Sequence, residues 1–191
     1  MKLSFTAIAL GLNEFEVLIR LREDTDSWDA VNTRVHADNL LKQTSPASVT
    51  RVLREVRQRI QCLASATCSN FLKWGYEERR AIALIAACKC YPFIFNFIRG
   101  TLRDKVQVFD QQLHDSDFDV YWNGLAIENP ELDDTAETTK KKLKQVLIRL
   151  LVEAGLLLET RNPLITPLIP PPRLDEVFAV EGNEYREAFL G

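Results

Sequence analysis

Glycine and histidine are scarce in this chain. Of 191 residues, seven are glycine and two are histidine, His36 and His114. The glycines do not cluster, so no G-x4-G-K-[ST] loop cradles a phosphate. H-E-x-x-H and G-x-S-x-G are also absent, which removes the common zinc-protease and serine-hydrolase constellations. Asp115, Asp117 and Asp119 alternate as D-x-D-x-D. A calcium loop counted from Asp115 needs glycine sixth and glutamate twelfth, and those places hold Val120 and Ala126. The alternation therefore reads as an acid-rich helix start, where carboxylates suit the positive dipole end. The expectation is no catalytic residue, no metal, no cofactor and no small-molecule substrate.

Cysteine is limited to Cys62, Cys68, Cys88 and Cys90. Their C-x5-C and C-x-C spacings are not the C-x(2–4)-C pairs of structural zinc sites. With no secretory signal pattern at the start, the thiols read as free, buried and held in a reducing, cytoplasmic setting. Long apolar runs are missing too. Ala81 to Ile98 is the nearest approach, but it falls short of about 20 residues and carries Lys89, Pro92 and Asn96. It reads as two core helices broken at Pro92 rather than as a membrane span.

Lys and Arg are absent from 106–139, which holds nine acids: Asp110, Asp115, Asp117, Asp119, Glu128, Glu131, Asp133, Asp134 and Glu137. The net charge of -3 thus hides an asymmetry. Setting those nine of the 27 acids aside leaves 18 against 24 Lys and Arg, so the remainder is positive by six. Local patches, not totals, decide what a surface attracts.

What is present is mainly helical patterning. Ser27 is placed to cap a helix from Trp28 to His36, and Ser45-Pro46 to open one reaching about Leu63. Ser65 to Asn70 reads as a loop. Glu77 and Glu78 sit in the first turn of the next helix. Pro92 restarts a helix to about Phe109, and Ser116 caps another to Ala126. A long helix runs from Thr135 to its stop at Gly155. Beyond it, the apolar runs Leu156–Thr160 and Leu164–Ile169 flank the turn Arg161-Asn162-Pro163. Either a small β-hairpin, as in a winged-helix unit, or an extended segment fits them. The fold class is all-α, a compact multi-helix arrangement with helix-turn-helix-like elements. The boundaries are an N-terminal helical unit over 1–70, a second over 76–172 and an acidic tail, partly mobile, over 173–191.

Two helices carry basic faces. On the first, Val49, Val52, Leu53, Val56, Ile60 and Leu63 form the core stripe. Arg51, Arg54 and Gln58 project opposite, with Arg57 and Arg59 flanking and Glu55 interrupting. Planar guanidinium forks suit phosphates, and a glutamine amide can read an adenine edge. On the second, Lys141, Lys142, Gln145 and Arg149 project away from Leu143, Val146, Leu147, Leu150, Leu151 and Ala154. Both faces fit double-stranded DNA; an ordinary solvated charged surface fits them as well. The acidic 106–139 segment offers a competing reading, a protein-interaction adaptor that docks a basic partner without touching DNA.

An ordered set of segments resembles one family. They are LSFTAIALGLNE, SWDAV, NLLKQTSPASVTRVLREVRQRI, RAIALIAACKCYPFIFNFIRGTLRDKV, DFDVYWNGLAIENPELDDTAETTKKKLKQVLIRLLVEAGLL and LITPLIPPPRL. Together they span nearly the whole chain and resemble the BrxA family of small accessory proteins of BREX (bacteriophage exclusion) systems. The resemblance implies a nearly all-helical fold, double-stranded-DNA binding, and work beside a methyltransferase and other BREX proteins. It fixes no contact residue by position. Those named here, Arg51, Arg54, Arg57, Gln58, Arg59, Lys141, Lys142 and Arg149, come from the helix projections.

Overall fold

The computed structural model describes residues 3–25 and 27–190. Among them are ten α-helices: α1 (Leu12–Asp24), α2 (Trp28–Asp38), α3 (Pro46–Gln61), α4 (Ser65–Asn70), α5 (Tyr76–Cys90), α6 (Pro92–Phe97), α7 (Arg103–Gln107), α8 (Asp115–Glu128), α9 (Glu137–Ala154) and α10 (Leu174–Glu181). The sequence is all-α, as its periodicities predict.

α5 is the hub. It is apolar nearly all round, from Ala81 through Cys88 and again at Cys90, and a helix of that kind must be enclosed. α1, α3, α6, α9 and the 3-10 segment Asn183–Phe189 enclose it. Pro92 ends it, and the chain turns through 108° into α6. No single described helix is long and apolar enough to cross a membrane. Phe93, Phe97, Phe118, Tyr121 and Trp122 meet beyond the bend in tilted and edge-on pairs that seat α8 on α6.

The caps follow the sequence closely. Ser27 Oγ accepts from the Asp29 and Ala30 amides, and Ser45 Oγ accepts from Ser48 N–H behind Pro46. Gly155 ends α9 at φ 84, a left-handed conformation that costs glycine nothing. α8 starts two residues earlier than expected. His114, not Ser116, is its cap, because Asp117 Oδ2 accepts the His114 amide at 2.7 Å.

Three further expectations change. No β-hairpin forms: the described residues contain no strand, only the isolated antiparallel bridges Leu157–Ile165 and Gln112–Leu164. Pro163 and Pro167 bound the second arm and cannot donate, which leaves room for a bridge but not a ladder. The helix from Pro92 toward Phe109 is interrupted by a π turn at Ile98–Leu102 and ends at Gln107. Residues 65–70 are helical rather than a loop, for a long-range reason. Glu181 of α10 accepts the Ala64 amide at 2.9 Å and the Thr67 hydroxyl, so a distant carboxylate caps α4. The same carboxylate pairs with Lys89 at 2.5 Å. Through these contacts α10 packs on the core, with Leu174, Val177 and Phe178 buried.

Candidate nucleic-acid interface

α3 lies against α1, α2 and α5, leaving only its outer side to solvent. Arg51 and Arg54 stand there, both exposed. Arg51 reaches only the Ser48 hydroxyl, at 3.3 Å. Arg57 is half-buried, its guanidinium 5.0 Å from the centre of the Trp28 ring. Arg22 from α1 lies over the same ring at 5.5 Å. Such contacts hold a cation in place without neutralising it. Among the described residues, no carboxylate lies within ion-pair distance of Arg51, Arg54 or Arg57. The three form a positive strip along α3 and its junction with α2.

Arg59 and Gln58, projected toward the same surface, point elsewhere. Arg59 is fully buried. Its Nε donates to Glu55 Oε1 at 2.8 Å. Its Nη1 donates to the carbonyls of Ala9 at 2.5 Å and Leu10 at 3.2 Å, and Nη2 to that of Ile8 at 3.2 Å. Glu55 in turn accepts from the Tyr91 hydroxyl at 2.6 Å. Burial, together with that bond to Glu55, pushes the Tyr91 phenol well above its ordinary range. Gln58 donates to the same phenol oxygen at 3.0 Å and to Cys90 Sγ at 2.9 Å. The two residues tie the N-terminal segment and the α5–α6 bend to α3 and leave the candidate interface. The one sequence signal of this was Glu55, four residues before Arg59, beside an apolar stripe.

The second basic face is narrower than its lysine count suggests. Lys140 pairs with Asp119 at 3.0 Å and Lys144 with Asp115 at 2.7 Å. Lys105 joins Asp110 at 2.6 Å and Asp117 at 3.1 Å. Four acids of the 106–139 segment are thus spent inside the chain. Arg149 remains mostly exposed but pairs with Glu153 at 3.1 Å. Glu153 also accepts the Leu10 amide at 2.9 Å, at the start of α1. Lys141 and Lys142 are exposed, and among the described residues neither has an ion-pair partner.

The family model for BrxA matches residues 2–182. The chain belongs to the BrxA family. It is 22% identical over 163 residues to the BREX protein BrxA of Bacillus cereus (strain H3081.97), covering 84% of this chain and 82% of that one. It is 20% identical over 132 residues to the BREX protein BrxA of Escherichia coli O9:H4 (strain HS), covering 69% and 61%. In three dimensions it resembles the crystal structure of an uncharacterized protein from Magnetospirillum magneticum. The TM-score is 0.85 at 17% identity, over 100% of this chain and 97% of the other, which shows a shared fold. BrxA membership places the chain in BREX phage defence.

No disulfide joins the cysteines of this BrxA-family chain among the described residues, and Cys88 and Cys90 are buried. Burial pushes the Cys68 thiol up to about 11, with Glu181 adding to the effect, and pushes Cys88 higher still. Lys89 beside Cys68 and Arg59 beside Cys88 pull the other way, but burial outweighs them, so neither thiol gains the thiolate character of a nucleophile. Among the described residues, no three His, Cys, Asp or Glu side chains converge as a metal site.

Proposed function

We propose that this chain is a non-enzymatic, cytoplasmic BREX component that binds double-stranded DNA through the outer side of α3. α2, the 39–45 linker and α3 act as a helix-turn-helix-like unit, and Lys141 and Lys142 of α9 add a second contact to the backbone. Arg149 contributes less, being already paired. Other proteins of the same system, a methyltransferase among them as the family resemblance implies, work beside it. The observation that carries the reading is the strip Arg51–Arg54–Arg57. Three guanidiniums stand on one rigid, capped helix, and among the described residues no carboxylate neutralises them. Guanidinium forks so placed displace counterions from phosphates, and phosphate contacts set affinity before any base is read.

The adaptor reading, in which acids of 106–139 dock a basic partner and DNA is not touched, is weakened by the lysine pairings of Asp110, Asp115, Asp117 and Asp119. One electrophoretic assay separates the two. Five phosphate contacts give a log–log salt slope of about -4.5, so affinity for a mixed-sequence duplex falls roughly several hundredfold between about 50 and 200 mM salt. Absence of any shift at about 100 mM salt would leave the adaptor reading standing alone.

A further inference from the structure

α8 is anchored on one side and bare on the other. Phe118, Trp122 and Ala126 are buried, and the Tyr121 hydroxyl donates to the Phe93 carbonyl at 2.7 Å. On the opposite side Val120 is 72% exposed and Ile127 83%. These two lie seven residues apart, two turns along one line, with Asn123 and Gly124 between them. Asp117 and Glu128 flank that line on the Gly124 side and Asp119 on the Asn123 side. Solvent-facing aliphatics of this kind do nothing for the fold.

Gly124 is the second observation. A glycine inside a helix is a poor choice, because alanine loses less freedom there. Here the backbone does not require it, since its φ is not positive. Packing does not require it either, since a Cβ at this position would meet nothing within 4 Å. Nothing inside the chain accounts for the missing side chain. A second helix crossing closely over α8 at this point does, because only glycine lets the backbones approach.

Charge says what kind of helix it is. The C-terminal end of α8 carries the partial negative charge of its last carbonyls. Glu128, Asp133, Asp134 and Glu137 gather beyond it, all exposed, with no Lys or Arg between 128 and 137. We propose that the Val120–Gly124–Ile127 line of α8 docks a basic amphipathic helix of another protein of the same BREX system, with aliphatic contact at the centre and cations at the Glu128 end.

The probes are the other proteins of the chain's own BREX system, each purified and titrated singly against this full chain by calorimetry. One of them binds the parent, and raising salt weakens it. Ile127→Lys and Gly124→Leu each reduce that affinity at least tenfold. Gly124→Ala raises the melting temperature, since helix propensity improves without a clash, yet lowers partner affinity. Affinity of all three variants for duplex DNA stays within twofold of the parent, so a failure here is distinct from a failure of the DNA reading. The proposal is overturned if none of the proteins binds the parent. It is equally overturned if binding survives Ile127→Lys and Gly124→Leu, or if light scattering shows a homodimer that Ile127→Lys dissolves.

Discussion

Arg59→Met unfolds at markedly lower temperature and denaturant than the parent. The substitution keeps most of the buried stem and removes the charge. It strands Glu55, which is 5% exposed and, among the described residues, is left with the Tyr91 hydroxyl as its one partner. It also strips donors from the carbonyls of Ile8, Ala9 and Leu10. Breaking one half of a buried pair costs about 3–5 kcal/mol, because the remaining charge is uncompensated. For a chain of this size that lowers Tm by roughly 6–20 °C. Arg59→Lys falls between, since an ammonium keeps the charge but cannot span three carbonyls and a carboxylate from one plane. Glu55→Met/Arg59→Met recovers part of the loss, as no lone charge remains inside. Urea unfolding followed by far-UV circular dichroism measures all three. An Arg59→Met protein within about 1 kcal/mol of the parent contradicts the buried role.

The Arg51→Ala/Arg54→Ala/Arg57→Ala protein stays folded and loses duplex DNA. Arg51 and Arg54 are exposed and Arg57 lies on Trp28 at the surface, so the fold gives up one cation–π contact and little else. Each phosphate contact adds about 0.9 to the salt slope, so three together remove about 2.7 from it. At physiological salt the same loss lowers affinity roughly a hundredfold. Fluorescence anisotropy of a labelled duplex across a salt series gives both numbers. Lys141→Ala/Lys142→Ala shifts them in the same direction by less, two contacts against three. A triple variant with the parental slope places the DNA elsewhere.

Much of the architecture is visible in the chain's periodicity. The Ser27 and Ser45 caps, the Gly155 stop and the break at Pro92 are local signals, and each has its expected effect. What the sequence hides is long-range. α4 is a helix because Glu181, 117 residues after Ala64, caps it, and no window over 65–70 contains that carboxylate. The 156–166 segment has turn chemistry suited to a hairpin, but its second arm also bonds to the 111–113 segment, through Ile165 N–H to the Gln111 carbonyl at 2.8 Å. The candidate interface is legible to the same extent. A projection of α3 separates one apolar stripe from everything else, which suffices for a helix covered on one side. α3 is covered on more than one. Its N-terminal half therefore exposes Arg51 and Arg54 as projected, while further along the Tyr91 phenol draws Gln58 inward and Glu55 holds Arg59 in the core. Helix α9 shows the converse: Lys140 and Lys144 sit beside the projected outer face, yet Asp119 and Asp115 claim them from α8.

Arginine modification by phenylglyoxal, read by peptide mass spectrometry with and without duplex DNA, tests the central claim most directly. Without DNA, Arg51 and Arg54 are modified quickly, Arg57 more slowly, and Arg59 not at all while the protein is folded. Saturating duplex protects Arg51, Arg54 and Arg57. Equal modification of Arg51 and Arg54 with and without duplex, under conditions where the complex forms, contradicts the assignment of α3 as the DNA-binding surface.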